Sequence, residues 1–219
     1  VTQDSPILTI RDLTFSRADE PLFDRLDFCV RVRSAVRLTG PNGIGKTTLL
    51  RILAGLIRPE KGEVLFRGEP IATLREDYAK ELLYIGHKES LEPSLNVAEN
   101  LGFALLLDGV SATHTELTSA LNRFGLSHAL NRSVAELSAG QKRKVALCRL
   151  LFSRKPLWFL DEPCTALDVD SIALLSTLIA EHVKSGGTLV YTTHQPLELA
   201  LEPGQSSSFD LLEYSRSER

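Results

Sequence analysis

Three glycines, a lysine and two threonines stand together in GPNGIGKTT, residues 40–48, and their spacing fits G-x-x-x-x-G-K-[ST]. Glycine adopts turned-back backbone angles at low steric cost. Gly40, Gly43 and Gly45 therefore let successive N–H groups point inward, with Pro41, Asn42 and Ile44 completing the loop. An apolar helical pattern (Leu49, Leu50, Ile52, Leu53) follows and aims its positive N-terminal end at the same place. Such a loop cradles a polyphosphate. Lys46 would reach the β- and γ-phosphates, the Thr47 hydroxyl would take Mg²⁺, and Thr48 continues the phosphate-facing turn. The ligand expected is a nucleotide with Mg²⁺.

A second group of candidates lies in PLWFLDEP, residues 156–163, where two acids close a continuous apolar run. Asp161 is placed to help hold Mg²⁺ through its hydration water. Glu162, one residue on, is the candidate general base for an attacking water. The alternative use of such a pair is structural, as a buried network or a helix cap. A third group is LSAGQ, residues 137–141, at the start of a helix. Ser138 and Gln141 have the spacing of a capping box. The same Ser138, with the N–H groups of Ala139 and Gly140, could instead clamp a second anion.

The elements that must carry these residues alternate between strand and helix. Residues 7–15 (ILTIRDLTF) alternate apolar and polar side chains, a turn follows at residues 17–21, and LFDRLDFCVRV resumes the pattern. EVLFRGEPI reads as a further strand of the same antiparallel sheet. The helix after the phosphate loop runs to about Leu56, and Arg58-Pro59-Glu60-Lys61-Gly62 ends it. KELLYI, residues 80–85, is a short apolar run. From Asn96 to about Ser153 the period is helical. PLWFLDEP and TLVYTTH (188–194) then read as core strands, separated by a helix from about Ser171 to Lys184. Acids and a histidine at the carboxyl ends of such strands sit where open α/β sheets place their ligands. The fold class expected is α/β: a mostly parallel core (about 36–60 and 155–214), an antiparallel β part (about 5–35 and 62–85) and a helical part (about 88–154). The polar tail, 215–219, is expected to fray.

Bulk properties exclude several classes. The 219 residues carry a formal net charge of −3, which argues against a dedicated nucleic-acid binder. No run of 18 apolar residues exists to cross a membrane, and VTQDSPILTI lacks the pattern of a signal peptide. Cys29, Cys148 and Cys164 lie far apart without C-x-x-C spacing, as expected of reduced thiols in a cytosolic protein. The absence of Met is read as a trimmed N-terminus. His114, His128 and His182 have no motif around them and are expected to be solvated.

Taken in order, GPNGIGKTT, LSAGQ, LWFLDEP, the turn Thr165-Ala166-Leu167-Asp168 and His194 resemble the motifs of ATP-binding-cassette (ABC) ATPases, over nearly the whole chain. The resemblance implies a RecA-like core with antiparallel and helical subdomains. It also implies a head-to-tail homodimer, formed on ATP binding, in which each ATP lies between one copy's phosphate loop and the other's LSAGQ helix. Ser138, Ala139, Gly140 and Gln141 would then serve the nucleotide bound by the partner's phosphate loop. Asp168 would couple the two sites, and His194 would contact the γ-phosphate and orient Glu162 and the water. Two positions depart from the family pattern. His87 stands where a glutamine usually meets Mg²⁺ and water, and a neutral imidazole can do either job. Arg17 stands where an aromatic usually stacks on adenine, and a guanidinium plane can also stack on a base.

LLYIGH, LSAGQ with the basic stretch and VALCRLL, PLWFLDEPCTALD and TTHQPLE further resemble the ATPase subunit of the cytochrome c maturation (haem exporter) transporters. That resemblance implies integral-membrane permease subunits as partners, an indirect link to a haem chaperone, and a peripheral position on the cytoplasmic face of the plasma membrane. It also implies an apolar groove for a permease helix, with His87, Leu91, Leu95, Val97, Leu101 and Phe103 as candidates or as ordinary core. The competing expectations are an ABC transporter for another cargo and a soluble ABC ATPase acting on nucleic acid.

Overall fold

The computed structural model describes residues 6–17, 20–195 and 197–214. The expected turn at 17–21 lies partly outside these residues, and the tail at 215–219 wholly so. The chain begins with β1 (Pro6–Arg17), β2 (Glu20–Arg31) and β3 (Ala35–Thr39), followed by α1 (Lys46–Leu53). Strands β4 (Lys61–Phe66) and β5 (Glu69–Pro70) lead through short helices α2 (Ile71–Leu74) and α3 (Glu76–Glu81) to β6 (Leu82–Ile85). Helices α4 (Val97–Leu107), α5 (His114–Arg123) and α6 (Ala139–Leu147) precede β7 (Leu157–Asp161), α7 (Val169–Lys184), β8 (Thr188–Thr192) and β9 (Ser206–Asp210).

These strands form two sheets. One is antiparallel with the order β2-β1-β4-β5; the other is parallel with the order β6-β7-β8-β3-β9. Strands β7 and β8 are buried at every position, as expected of strands covered on both faces. Their side chains alternate between two cores. Leu157, Phe159 and Val190 face α1 and the antiparallel sheet, whereas Trp158, Leu160, Leu189 and Tyr191 face the helical side. Helix α1 is held between the sheets by Leu49, Leu50, Ile52 and Leu53, all fully buried. Each contributes about 1.5–3 kcal/mol of gross apolar transfer, which fixes the helix whose N-terminus closes the phosphate loop.

Two assignments change. The run at residues 82–85 joins the parallel sheet as β6, paired with β7 through Leu82↔Leu157 and Ile85↔Leu160. The expected antiparallel span 62–85 is therefore too long, and that sheet ends at Pro70. An apolar run of four residues does not specify which sheet it enters. The other change is β9, whose sequence SSSFD shows no strand pattern because it lies at the sheet edge with mostly exposed side chains. Helix α1 also ends at Leu53, three residues before the expected Leu56.

The helical side is organised by its caps. Asn96 with Glu99, Thr113 with Glu116 and Ser138 with Gln141 form capping boxes at the starts of α4, α5 and α6. Buried Asn100 donates to the carbonyls of Glu92 and Asn96 and accepts from the Glu92 N–H, fastening the approach to α4. His182 is half-buried rather than solvated. Its ring stacks on Trp158 at 3.7 Å with an interplanar angle of 4°.

Candidate active site

The phosphate loop joins β3 to α1, and Gly40, Gly43 and Gly45 all have positive φ, at 133°, 84° and 105°. Gly45 is required twice over. It occupies the left-handed cap of α1, and a Cβ there would lie 2.6 Å from the ring of Phe23. The loop also positions its lysine, since Lys46 Nζ donates to the carbonyls of Gly40 at 2.7 Å and Pro41 at 3.0 Å. Asn42, Gly43, Gly45, Lys46, Thr47 and Thr48 line a cavity of about 360 Å³ together with Arg17, Leu22, His87, Glu162 and His194. Residues from the hairpin, the phosphate loop, the segment after β6 and the ends of β7 and β8 thus meet in one place.

Asp161, the last residue of β7, is fully buried. Its Oδ1 accepts hydrogen bonds from the hydroxyls of Thr47 at 3.0 Å and Thr192 at 2.8 Å. Its Oδ2 is buried with no hydrogen-bond partner. A buried carboxylate oxygen without a donor is costly. A divalent cation beside Thr47 would offset that cost, and the hard-oxygen donors of Thr47 and Asp161 fit Mg²⁺. Held there, Mg²⁺ would neutralise charge on the β- and γ-phosphates.

Glu162 has φ 49°, a left-handed angle that costs a non-glycine residue on the order of 1–3 kcal/mol. That turn takes its carboxylate away from the core. The Glu162 N–H donates to the Thr192 hydroxyl at 2.9 Å, and the His194 N–H donates to Glu162 Oε2 at 3.1 Å. The His194 ring nitrogen Nε2 lies 3.4 Å from Glu162 Oε1. Thr192 thus serves both acids, accepting from the Glu162 main chain and donating to the Asp161 side chain. The sequence reading missed Thr192, because a threonine in a β-branched strand carries no separate signal.

The LSAGQ residues do not line this cavity. Ser138 and Ala139 are exposed. The Ser138 hydroxyl accepts from the Gln141 N–H at 3.2 Å, and Gln141 Oε1 accepts from the Ser138 N–H at 3.0 Å. Gly140 permits a close approach instead: a Cβ would lie 2.4 Å from the Ala166 carbonyl oxygen. The turn before α7 therefore rests directly on the start of α6. Asp168 caps α7 by accepting from the Ser171 N–H at 2.9 Å and pairs with Lys144. Those hydrogen bonds hold its carboxyl well below the ordinary carboxylate range.

Arg143 is the other residue the sequence left unmarked. It is 1% exposed and sits in α6 among main-chain carbonyls. In sequence Arg143 is only the middle of the basic stretch Lys142-Arg143-Lys144, and its neighbours have the same charge. Its helical phase was the available signal, since Arg143 precedes buried Ala146 and Leu147 by three and four residues.

The ABC transporter family matches residues 23–165. The chain belongs to that family. Within it, the chain is 46% identical over 191 residues to the cytochrome c biogenesis ATP-binding export protein CcmA of Salmonella typhi, covering 87% of this chain and 91% of that protein. Against the protein of the same name in Escherichia coli strain K12 it is 44% identical over 194 residues, covering 89% and 92%. Among solved structures, a putative ABC transporter ATP-binding protein from Pyrococcus furiosus superposes with a TM-score of 0.77 at 28% identity, covering 95% of this chain and 98% of that one.

Proposed function

We propose that this chain is the ATP-hydrolysing subunit of a membrane transporter in cytochrome c biogenesis, driving haem export or release of a haem-loaded chaperone. The reading is carried by one observation. Glu162 is held by Thr192 and His194 at the mouth of the phosphate-loop cavity, in a chain 44–46% identical to cytochrome c biogenesis ATP-binding export proteins. Lys46 and the loop N–H groups bind the triphosphate, and Thr47 and Asp161 would hold Mg²⁺. Glu162 takes the proton of the attacking water, with His194 fixing its carboxylate. His87 and Arg17 line the same cavity; His87 would take the place of the usual glutamine, and the Arg17 guanidinium plane would stack on the base.

Two copies act head to tail. Exposed Ser138 and Ala139, with Gly140 and Gln141, then complete the partner's site, and Asp168 adjoins the junction. Of the groove candidates, Val97 and Leu101 are core, whereas Phe103 is 62% exposed and is joined on α4 by Leu106 and Leu107 at 65% and 72%. That apolar face suits an integral-membrane permease subunit. Among the described residues no helix is long and apolar enough to cross a membrane. Attachment to the cytoplasmic face of the membrane would run through that subunit. Affinity purification from detergent-solubilised membranes tests the reading. Integral-membrane subunits and a haem-carrying chaperone that leaves on ATP addition are expected; co-purification of a transporter for another cargo would overturn it.

A further inference from the structure

A buried arginine ordinarily meets a carboxylate. Arg143 meets three main-chain carbonyls instead, and each belongs to a segment of the site. Its Nη2 donates to the Asp161 carbonyl at 2.6 Å, its Nε to the Pro163 carbonyl at 3.3 Å, and its Nη1 to the Gly86 carbonyl at 2.7 Å. The first two acceptors flank Glu162, the residue with φ 49°. The third precedes His87, which lines the nucleotide cavity.

The planar guanidinium makes this geometry possible. It holds donors in a fixed fork, so three acceptors gripped at once cannot move independently. The Asp161 carbonyl belongs to the peptide plane that leads into Glu162, and the Pro163 carbonyl to the plane that follows Pro163, so the guanidinium fastens the chain on both sides of the turn whose unusual φ aims the carboxylate. Burial lowers the Arg143 affinity for its proton, and the nearby charges of Glu89 and Asp161 are the largest opposing influences. A guanidinium stays charged under such conditions, whereas an ammonium is more easily neutralised.

We propose that Arg143 is a positioning residue that clamps the strained backbone at Glu162 and ties it to the Gly86–His87 loop, so that the two segments move as one unit with the start of α6. The proposal rests on Glu162 acting as the base. It adds that this base is in register only while α6 and the loop before α4 hold their places. A displacement of either segment is thereby felt at the carboxylate through one side chain.

The test uses the full chain and compares Arg143→Lys, Arg143→Gln, Glu162→Gln and the double variant Arg143→Gln/Glu162→Gln. Single-turnover hydrolysis, ATP affinity and hydrogen exchange are measured on each. Loss of charged hydrogen bonds that fix a reacting group gives about a 30-fold fall in the rate for Arg143→Gln and a smaller one, about 5-fold, for Arg143→Lys. ATP affinity stays within about twofold, because neither variant touches the phosphate loop. Exchange rises at residues 86–89 and 162–164 and not across the buried strands, which a merely structural defect would not reproduce. The double variant is no slower than Glu162→Gln alone, because Arg143 acts through that carboxylate. Should the glutamine variant not fold, Arg143→Lys retains the charge and carries the test. Wild-type turnover in Arg143→Lys and in any folded Arg143→Gln, alongside an inactive Glu162→Gln, would overturn the clamp and leave the base intact. Full turnover in Glu162→Gln would instead remove the base assignment itself.

Discussion

Lowering the pH should destabilise this protein through one half-buried histidine. The His182 ring lies flat on Trp158, and its Nε2 is 3.3 Å from the Thr188 carbonyl oxygen. Gly187 makes room for it, since a Cβ there would strike the ring at 2.1 Å. Burial lowers the His182 pKa to about 4, against the opposing pull of the Thr188 and Pro156 carbonyls. The unfolded chain therefore binds more protons than the native one between pH 6.5 and 4. The stabilisation from keeping this ring neutral is fully present above pH 6.5 and is lost as pH falls toward 4. Those two pKa values give a loss of about 2 kcal/mol at pH 5 relative to pH 7.5. With a urea slope of about 2.5 kcal/mol per M, the midpoint should move down by about 0.8 M. Urea titrations of the wild type and His182→Phe at both pH values check this. The phenylalanine variant keeps an aromatic stack and cannot titrate, so its midpoint should move less by that amount. Equal shifts in the two proteins would refute the reasoning.

Three further outcomes follow from the geometry. Thr192→Val removes the donor to Asp161 and the acceptor for the Glu162 N–H; steady-state kinetics should show kcat reduced by roughly 10- to 100-fold with a smaller change in KM. Gly140→Ala forces α6 away from the Ala166 carbonyl and should cost about 1–3 kcal/mol of stability, read as a lowered thermal midpoint with reduced ATPase activity. In thiol labelling of the native protein, exposed Cys29 should react first. Cys148 and Cys164 are buried, and burial pushes both thiols up and away from the reactive thiolate, so they should react only on unfolding.

The phosphate loop, Asp161 and Glu162 were legible because their chemistry admits few residue types at fixed spacing. The core strands β7 and β8 were legible because continuous apolar runs have few other uses. What sequence left out shares a cause: it depends on neighbours far along the chain. The partner sheet of β6 is decided by β7, and the edge strand β9 is held by main-chain pairing with β3 rather than by its serines. Lys142, Arg143 and Lys144 look alike in sequence, yet the middle one is buried against three carbonyls contributed by two distant segments. His182 looked isolated because Trp158, which stacks on it, stands on another element. The capping box at Ser138 and its proposed use at a partner's nucleotide are compatible, since the box leaves Ser138 exposed.

In the proposed head-to-tail arrangement, hydrolysis needs a second copy's LSAGQ helix over the bound triphosphate. Light scattering of Glu162→Gln with ATP and Mg²⁺, with and without Ser138→Arg, tests it most directly. A stable two-chain species with unhydrolysed ATP is expected in the first protein, and a monomer that still binds ATP when Ser138→Arg is added. Hydrolysis at the wild-type rate by a strictly monomeric Ser138→Arg protein would contradict it.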